Sequence, residues 1–304
     1  MKKHRLSFGM LAAMLLMAFT FVACGGDNND DTPVIDPVVE VPSLLPTEDG
    51  MYHDNTLIYR ITDEQAQEVE VVHPVDFSTC SKAEIPESVN INGEHYAVTA
   101  IADDAFAIYD EFFNAYKYNN VLESISFSHS VKRIGKYAFF CCTALKSIFI
   151  PKEVTEIGVG TFFADDALEE IIVQEGNPLY DSRQGCNAII ETKENRLVFG
   201  CKTSVIPNGI KTIGHYAFWD CIGLTEIDIP SSVTSIEEGG FYNCENLKKV
   251  TCRNTTPPAL EDDVFEWIDE ECILYVPDRS VDKYLSQWPF KSGYVKAFGI
   301  SVDR

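Results

Sequence analysis

The residues of this chain that could do chemistry are numerous but poorly arranged for it. His73, His95, His129 and His215 each stand alone in the sequence, and each reads as a surface residue rather than a metal ligand or general base. Neither Gly-x-Ser-x-Gly nor His-Glu-x-x-His occurs. Gly158-Val-Gly160 lacks the third glycine that a dinucleotide loop needs. Glu261-Asp-Asp263 with Asp269-Glu-Glu271 supplies carboxylates that could suggest calcium, but without the loop glycine and the alternating ligand spacing of such a site. This run reads as a solvated acidic face. After Cys24 come Cys80, Cys141, Cys142, Cys186, Cys201, Cys221, Cys244, Cys252 and Cys272, with no C-x-x-C pair and no zinc spacing with histidine. Cys142, Cys221 and Cys244 each follow a recurring phenylalanine by three residues, so they share one structural position as small buried hydrophobes. Cys186 and Cys201 flank a hairpin-like stretch and could pair in an oxidising compartment. These patterns point away from an enzyme and imply no cofactor and no metal.

What positions these residues is a 23-residue repeat. Val131, Ile134, Phe139, Leu145, Ile148 and Ile150 recur, each advanced by 23, as Val154, Ile157, Phe162, Leu168, Ile171 and Val173. Such a period predicts a stacked α/β solenoid with short parallel strands, because one unit cannot bury its apolar face alone. The run Leu145-Lys-Ser-Ile-Phe-Ile150 alternates and stops at Pro151, as a strand should where the next residue cannot donate to the ladder. Gly135, Gly158 and Gly214 recur where a tight turn would want freedom in φ, and Lys136 to Cys142 reads as a short helical turn carrying Phe139 inward. The frame begins with Val98, Ile101 and Phe106 and runs to residue 252, with insertions at 107–120 and 174–205. A β-rich cap over 48–97, with strands near Leu57–Ile61 and Val69–Val72, closes one end. A degenerate last repeat and cap over 253–304 closes the other.

The first residues are a processing segment. Lys2, Lys3 and Arg5 precede a mostly apolar stretch from Leu6 to Ala23, which reads as a secretory signal over 1–23. Residues 24–47, with Pro33, Pro37, Pro42 and Pro46, read as an extended acidic tether. Removing residues 1–23 takes away three basic and no acidic residues, moving the formal net charge from −23 to −26. A surface of that sign repels phosphate backbones and argues against a nucleic-acid partner.

Three resemblances follow from these residues. Phe21-Val22-Ala23-Cys24 resembles the lipobox of bacterial lipoproteins, which implies lipidation at Cys24 and attachment to a membrane. The acidic tract Gly25 to Asp31 looks like the export tag of some Bacteroidetes lipoproteins, implying an outer-membrane anchor facing the cell exterior. The pattern Leu-x-x-Ile-x-Ile-Pro-x-x-Val-x-x-Ile-Gly-x-x-Ala-Phe-x-x-Cys, carried closely by residues 122–142, 145–165 and 224–244, resembles the BspA-type leucine-rich repeat. Asp165 stands where that pattern has cysteine, and Glu237 where it has glycine. Ile273-Leu-Tyr-Val-Pro277 resembles the usual last strand. The resemblance implies surface adhesion and binding of host or matrix protein.

Residues between the inward strand positions face outward, and there Phe149 and Ile172 should touch if their strands are neighbours, with Glu170 as an acidic neighbour. Their cover by the long insertion or the N-terminal sheet is the alternative. In the first insertion Phe106, Tyr109, Phe113 and Tyr116 fall at i, i+3, i+7 and i+10, the spacing of one face of a helix packed on the solenoid. Phe112 and Tyr118 lie off that face and are candidates for contacting a protein or stacking on a sugar. The candidate site is therefore Phe149, Ile172, Phe112, Tyr118 and Glu170. The expected partner is an extracellular or host-surface protein, with a glycan-capture or scaffold role in the envelope as the alternative.

Overall fold

A computed structural model describes residues 41–298. The signal segment, Cys24 and most of the tether lie outside the described residues. Among the described residues, no helix is long and apolar enough to cross a membrane.

Each repeat contributes to two parallel ladders. In the first, Lys82–Glu84 pairs with Ser124–Ser126, and Ser147–Ile150 with Glu170–Val173. Further along, Glu226–Ile229, Lys249–Cys252, Ile273–Pro277 and Val295–Phe298 pair in turn. Alternation dictates the burial: Ile148 and Ile150 point into the core while Ser147 and Phe149 point out, and Glu170–Val173 repeats the pattern. The second ladder is made of two-residue strands such as Arg133–Ile134 and Glu156–Ile157, joined by Thr212–Ile213, Ser235–Ile236 and Ala259–Leu260 in the later part.

The N-terminal cap is an antiparallel meander that ends in Glu68–Pro74, and this strand runs parallel to Glu94–Ile101 and so feeds the second ladder. Lys82–Glu84, inside the span read as cap, already belongs to the first ladder. Buried Glu70 fastens this junction, accepting from Arg60 and from Arg133 Nη2 at 3.1 Å. At the other end Ile273–Pro277 is not the last strand, because Val295–Phe298 pairs beyond it. The helix Val281–Gln287 places Tyr284 against the Asn254 carbonyl at 2.9 Å.

The segment between the ladders is not the helical turn that its sequence suggests. Five coils carry two residues in the left-handed region four positions apart: Tyr137 and Cys141, Gly160 and Ala164, Tyr216 and Asp220, Gly239 and Asn243, Asp263 and Trp267. A right-handed helix cannot continue through such residues. Their backbone instead bonds to the next coil, with the Tyr137, Phe139 and Cys141 N–H groups donating to the Val159, Thr161 and Phe163 carbonyls at 3.1, 2.8 and 2.9 Å.

The recurring glycines of the frame also have a different cause from the one expected. Gly135, Gly158 and Gly214 are absent from the positive-φ set, whereas a Cβ on Gly135 would lie 2.5 Å from the Ala102 backbone and one on Gly158 2.4 Å from Lys136 N. Close approach of successive coils, rather than a turn, requires glycine there.

The recurring phenylalanines stack along the axis. Phe106, Phe139 and Phe162 follow one another at 5.1 and 5.5 Å, and Phe218, Phe241 and Phe265 at 5.1 and 5.4 Å. Between the two runs lies the second insertion. Its strands Ala188–Glu191 and Arg196–Gly200 form an antiparallel hairpin, and Leu197 takes the inward second-ladder position beside Ile213. The hairpin is a partition: Ile189, Phe199 and Cys201 pack into the N-terminal core, and Ala188, Ile190 and Leu197 into the C-terminal one.

Candidate functional site

The strands Ser147–Ile150 and Glu170–Val173 are neighbours in register, with Phe149 opposite Ile172 and Ser147 opposite Glu170. Phe149 is 46% and Ile172 40% exposed, so neither the insertion nor the N-terminal sheet covers them. Further along the same outward face the strip becomes charged and paired, Lys249 Nζ meeting Glu226 at 3.0 Å and Arg253 Nε meeting Asp228 at 2.8 Å. The apolar spot is thus confined to two rungs, with exposed Glu170 beside it.

The insertion 107–120 is a β-hairpin and not a helix. Ile108–Asp110 pairs antiparallel with Ala115–Lys117, which sets Tyr109 opposite Tyr116. The turn forms because the Asp110 carboxylate accepts the Phe113 N–H at 3.0 Å and Asn114 takes a left-handed φ of 51°. Phe112, 88% exposed, and Phe113 are carried at the tip, with their rings edge to face at 4.9 Å. Tyr118 is 66% exposed on the returning limb. The structure places these aromatics apart from the Phe149 and Ile172 strip in sequence and on a different element, so the five candidates form two sets.

Cysteine chemistry is quiet. Among the described residues all nine thiols are free, and Cys186 and Cys201 belong to different cores. Burial pushes the Cys141 and Cys244 thiols up to about 12, so both stay neutral rather than nucleophilic, and Cys244 donates to the Phe218 carbonyl. Among the described residues no group of three His, Cys, Asp or Glu side chains could hold a metal ion. In the acidic run, Glu261 accepts the Glu238 N–H at 3.0 Å and Asp269 the Glu271 N–H at 2.8 Å, which uses these carboxylates to fix backbone.

Two features were not found from sequence. Asp165, in the repeat position of Cys142, is buried with neither carboxyl oxygen hydrogen-bonded among the described residues. Burial pushes its carboxyl well above the usual carboxylate range, and the neighbouring Asp166 charge adds to this. The second is a cleft of about 240 Å³ where the partition meets the last coil of the N-terminal stack. One wall is the continuous run 157–163, the other is built from Tyr180, Glu191, Arg196 and Val198, and His215 stands at the edge. The only advance signal was the length of the insertion, since a break in the period must either leave the stack or split it.

A family model described as BspA type Leucine rich repeat region matches six copies over residues 67–182 and 198–277, more than half of the chain. None of the curated proteins compared matches it. Among solved structures, a leucine-rich repeat protein from Bacteroides ovatus is 22% identical with a TM-score of 0.44, covering 74% of this chain and 54% of its own. The chain thus spans about half the length of that relative. The Treponema pallidum leucine-rich repeat protein is 21% identical with a TM-score of 0.39, covering 74% of this chain and 80% of its own. A leucine-rich cell surface protein from Faecalibacterium prausnitzii is 17% identical with a TM-score of 0.32, covering 84% and 95%.

Proposed function

The chain belongs to the BspA-type leucine-rich repeat family, and from that premise we propose that its solenoid is a non-catalytic binding module for an extracellular or host-surface protein. In this reading a lipid on Cys24 holds the module on the outside of a bacterial outer membrane. The observation that carries the binding role is the registered, exposed pair Phe149 and Ile172 on an otherwise polar strip. A small apolar spot with exposed Glu170 beside it can seat an apolar anchor of a partner while that carboxylate favours a basic neighbour. The test is a screen of the soluble protein against an array of extracellular proteins, repeated with Phe149→Ser plus Ile172→Ser. Binding should weaken by at least about tenfold, equivalent to ~1.4 kcal/mol. Affinity untouched by the pair would remove the strip as the site. Protease treatment of intact cells should release the module, and protection of the protein would oppose outward display.

A second reading, glycan capture, is favoured by the hairpin tip, where Phe112 and Tyr118 expose ring faces suited to stacking on a sugar. In a glycan array its signature would be loss of binding on Tyr118→Ala with the Phe149 and Ile172 pair intact.

A further inference from the structure

The cleft at the partition contains a row of unused ladder groups. In the coils of Phe139, Phe218 and Phe241 the backbone N–H groups at three alternate positions donate to the following coil. Tyr216, Phe218 and Asp220 donate to Glu238, Gly240 and Tyr242 at 3.0 Å each, and Gly239, Phe241 and Asn243 do the same to Asp262, Val264 and Glu266 at 3.0, 3.0 and 2.9 Å. The equivalent groups of the coil before the break, the N–H of Gly160, Phe162 and Ala164, have no acceptor among the described residues. The Ile157 carbonyl is in the same state: Ile134 O and Ile213 O accept from Gly158 and Glu237 at 2.9 Å, and nothing described donates to Ile157 O. Ile157, Gly160 and Phe162 all line the cleft, and buried backbone groups are nearly always paired. The hairpin leaves these groups unpaired, because it enters the stack where the next coil would lie; it meets the wall at depth, where Phe162 and Phe199 stand 5.3 Å apart, and at one end, where Tyr180 reaches the Ile157 backbone.

We propose that this cleft binds an extended peptide segment bearing a basic side chain, which docks as the missing strand between the two stacks. An extended chain presents carbonyls on one side at alternate residues, the same spacing as the Gly160 and Phe162 donors. At about 240 Å³ the cleft is below the ~300–1,000 Å³ of sites for drug-sized ligands, so it takes a short stretch of chain and not a folded partner. Charge sets the preference for a base. The Arg196 guanidinium is already bound, its Nε lying 3.1 and 3.0 Å from the Glu237 carboxylate and its Nη1 3.3 Å from Glu191. Glu238 stands 3.7 Å from the His215 ring, and exposed Glu156 occupies the edge strand beside Ile157. The rim therefore carries more carboxylate than cation.

The experiment uses the isotopically labelled full mature protein and two mixtures of blocked pentapeptides, randomised at four positions, with lysine or glutamate fixed at the centre. Amide resonances are followed by NMR. The Gly160 and Phe162 amides should exchange faster with solvent than those of Tyr137 and Phe139 in the free protein. The lysine mixture should shift and protect them, binding about tenfold tighter than the glutamate mixture. Val159→Trp, at an exposed position of the rim, should weaken this at least tenfold with an unchanged melting temperature. The proposal is overturned if the lysine mixture leaves both amides unmoved, if the two mixtures bind alike, or if the shifts centre on Phe149 and Ile172. The first two results leave partner binding at the strip untouched, as does Val159→Trp, whereas the third would move the peptide to the strip and leave the proposed function standing.

Discussion

Asp165 occupies the position at which Cys142 and Cys244 turn their thiols toward the carbonyls of Phe106 and Phe218, at 3.6 and 3.1 Å. A thiol, or a neutral carboxyl, keeps a proton to donate; a carboxylate does not. Burial is the main reason the Asp165 carboxyl is raised, the Asp166 charge adds to it, and the nearby Cys142 N–H offsets only part. A raised folded-state value means that the native protein holds this proton where the unfolded chain has released it. Stability is then greatest below the unfolded carboxylate value near pH ~4, and falls as pH rises from there toward the folded value. Asp165→Cys, which restores the repeat residue, should therefore stabilise by about 1–3 kcal/mol at pH 7.5: removing a buried polar group without a partner contributes at every pH, and removing the need to hold its proton contributes only above the unfolded value. At pH 4 the second part should be lost and the gain should be smaller. Urea unfolding at the two pH values under reducing conditions checks this, and an equal gain at both would show that ionisation of Asp165 plays no part. The exception at 165 was visible in the sequence as a departure from the cysteine pattern. Its burial without a partner was not, because that depends on the coil and the partition packed around it.

At the scale of elements, the periodic positions were legible and the breaks were not. Inward residues such as Ile148, Ile171, Ile227 and Val250 are buried as their alternation requires, since every coil presents them to the same stacked core. The exposed and neighbouring state of Phe149 and Ile172 also follows from alternation plus parallel stacking. The hairpin 107–120 misled because Tyr109 and Tyr116, seven residues apart, suit one helical face and also one cross-strand pair. Turn chemistry decides between them: Asp110 and Asn114 close the loop, and the two tyrosines meet edge to face at 5.1 Å. The inter-ladder turns misled for a related reason, since Tyr137, Cys141 and Ala164 are not residues that announce a left-handed φ. The hairpin is held by its base and not its tip. Buried Asn119 donates to the Phe106 carbonyl at 2.9 Å and accepts the Val121 and Leu122 N–H groups at 3.1 Å each. Asn119→Ala strands all three groups and should cost about 2–3 kcal/mol, while Phe112→Ser plus Phe113→Ser should stay within ~0.5 kcal/mol. A tip substitution as costly as the base one in urea unfolding would mean that the aromatic tip packs on the solenoid, and would withdraw it as a free contact surface.

For the whole molecule, the partition turns one solenoid into two coupled stacks. In an uninterrupted repeat array stability is a sum of unit terms and interfaces between neighbours, and the array unfolds together only where every interface is strong. Here the interface at the break lacks the backbone bonds that join the other coils, so side chains must carry it. The aromatic ones are Phe162 on Phe199 at 5.3 Å inside, and Phe163 and Phe140 on Trp219 at 5.2 and 5.7 Å outside; Lys202 Nζ and Thr203 Oγ1 add bonds to the Asp166 and Glu169 carbonyls at 3.0 and 2.6 Å. Phe199 is the largest buried side chain that the partition sends into the N-terminal core, beside Ile189 and Cys201, and Phe199→Ala should cost about 3–5 kcal/mol as a cavity. That loss falls on the interface more than on either stack. The wild-type protein should show closely similar opening free energies for amides in Ser147–Ile150 and in Lys249–Cys252 by native-state hydrogen exchange. In Phe199→Ala the two sets should separate, and denaturant unfolding should split into two steps. If the variant loses stability but its two amide sets stay together, the outer aromatic contacts suffice to couple the stacks, and the partition acts as an ordinary coil of one continuous core.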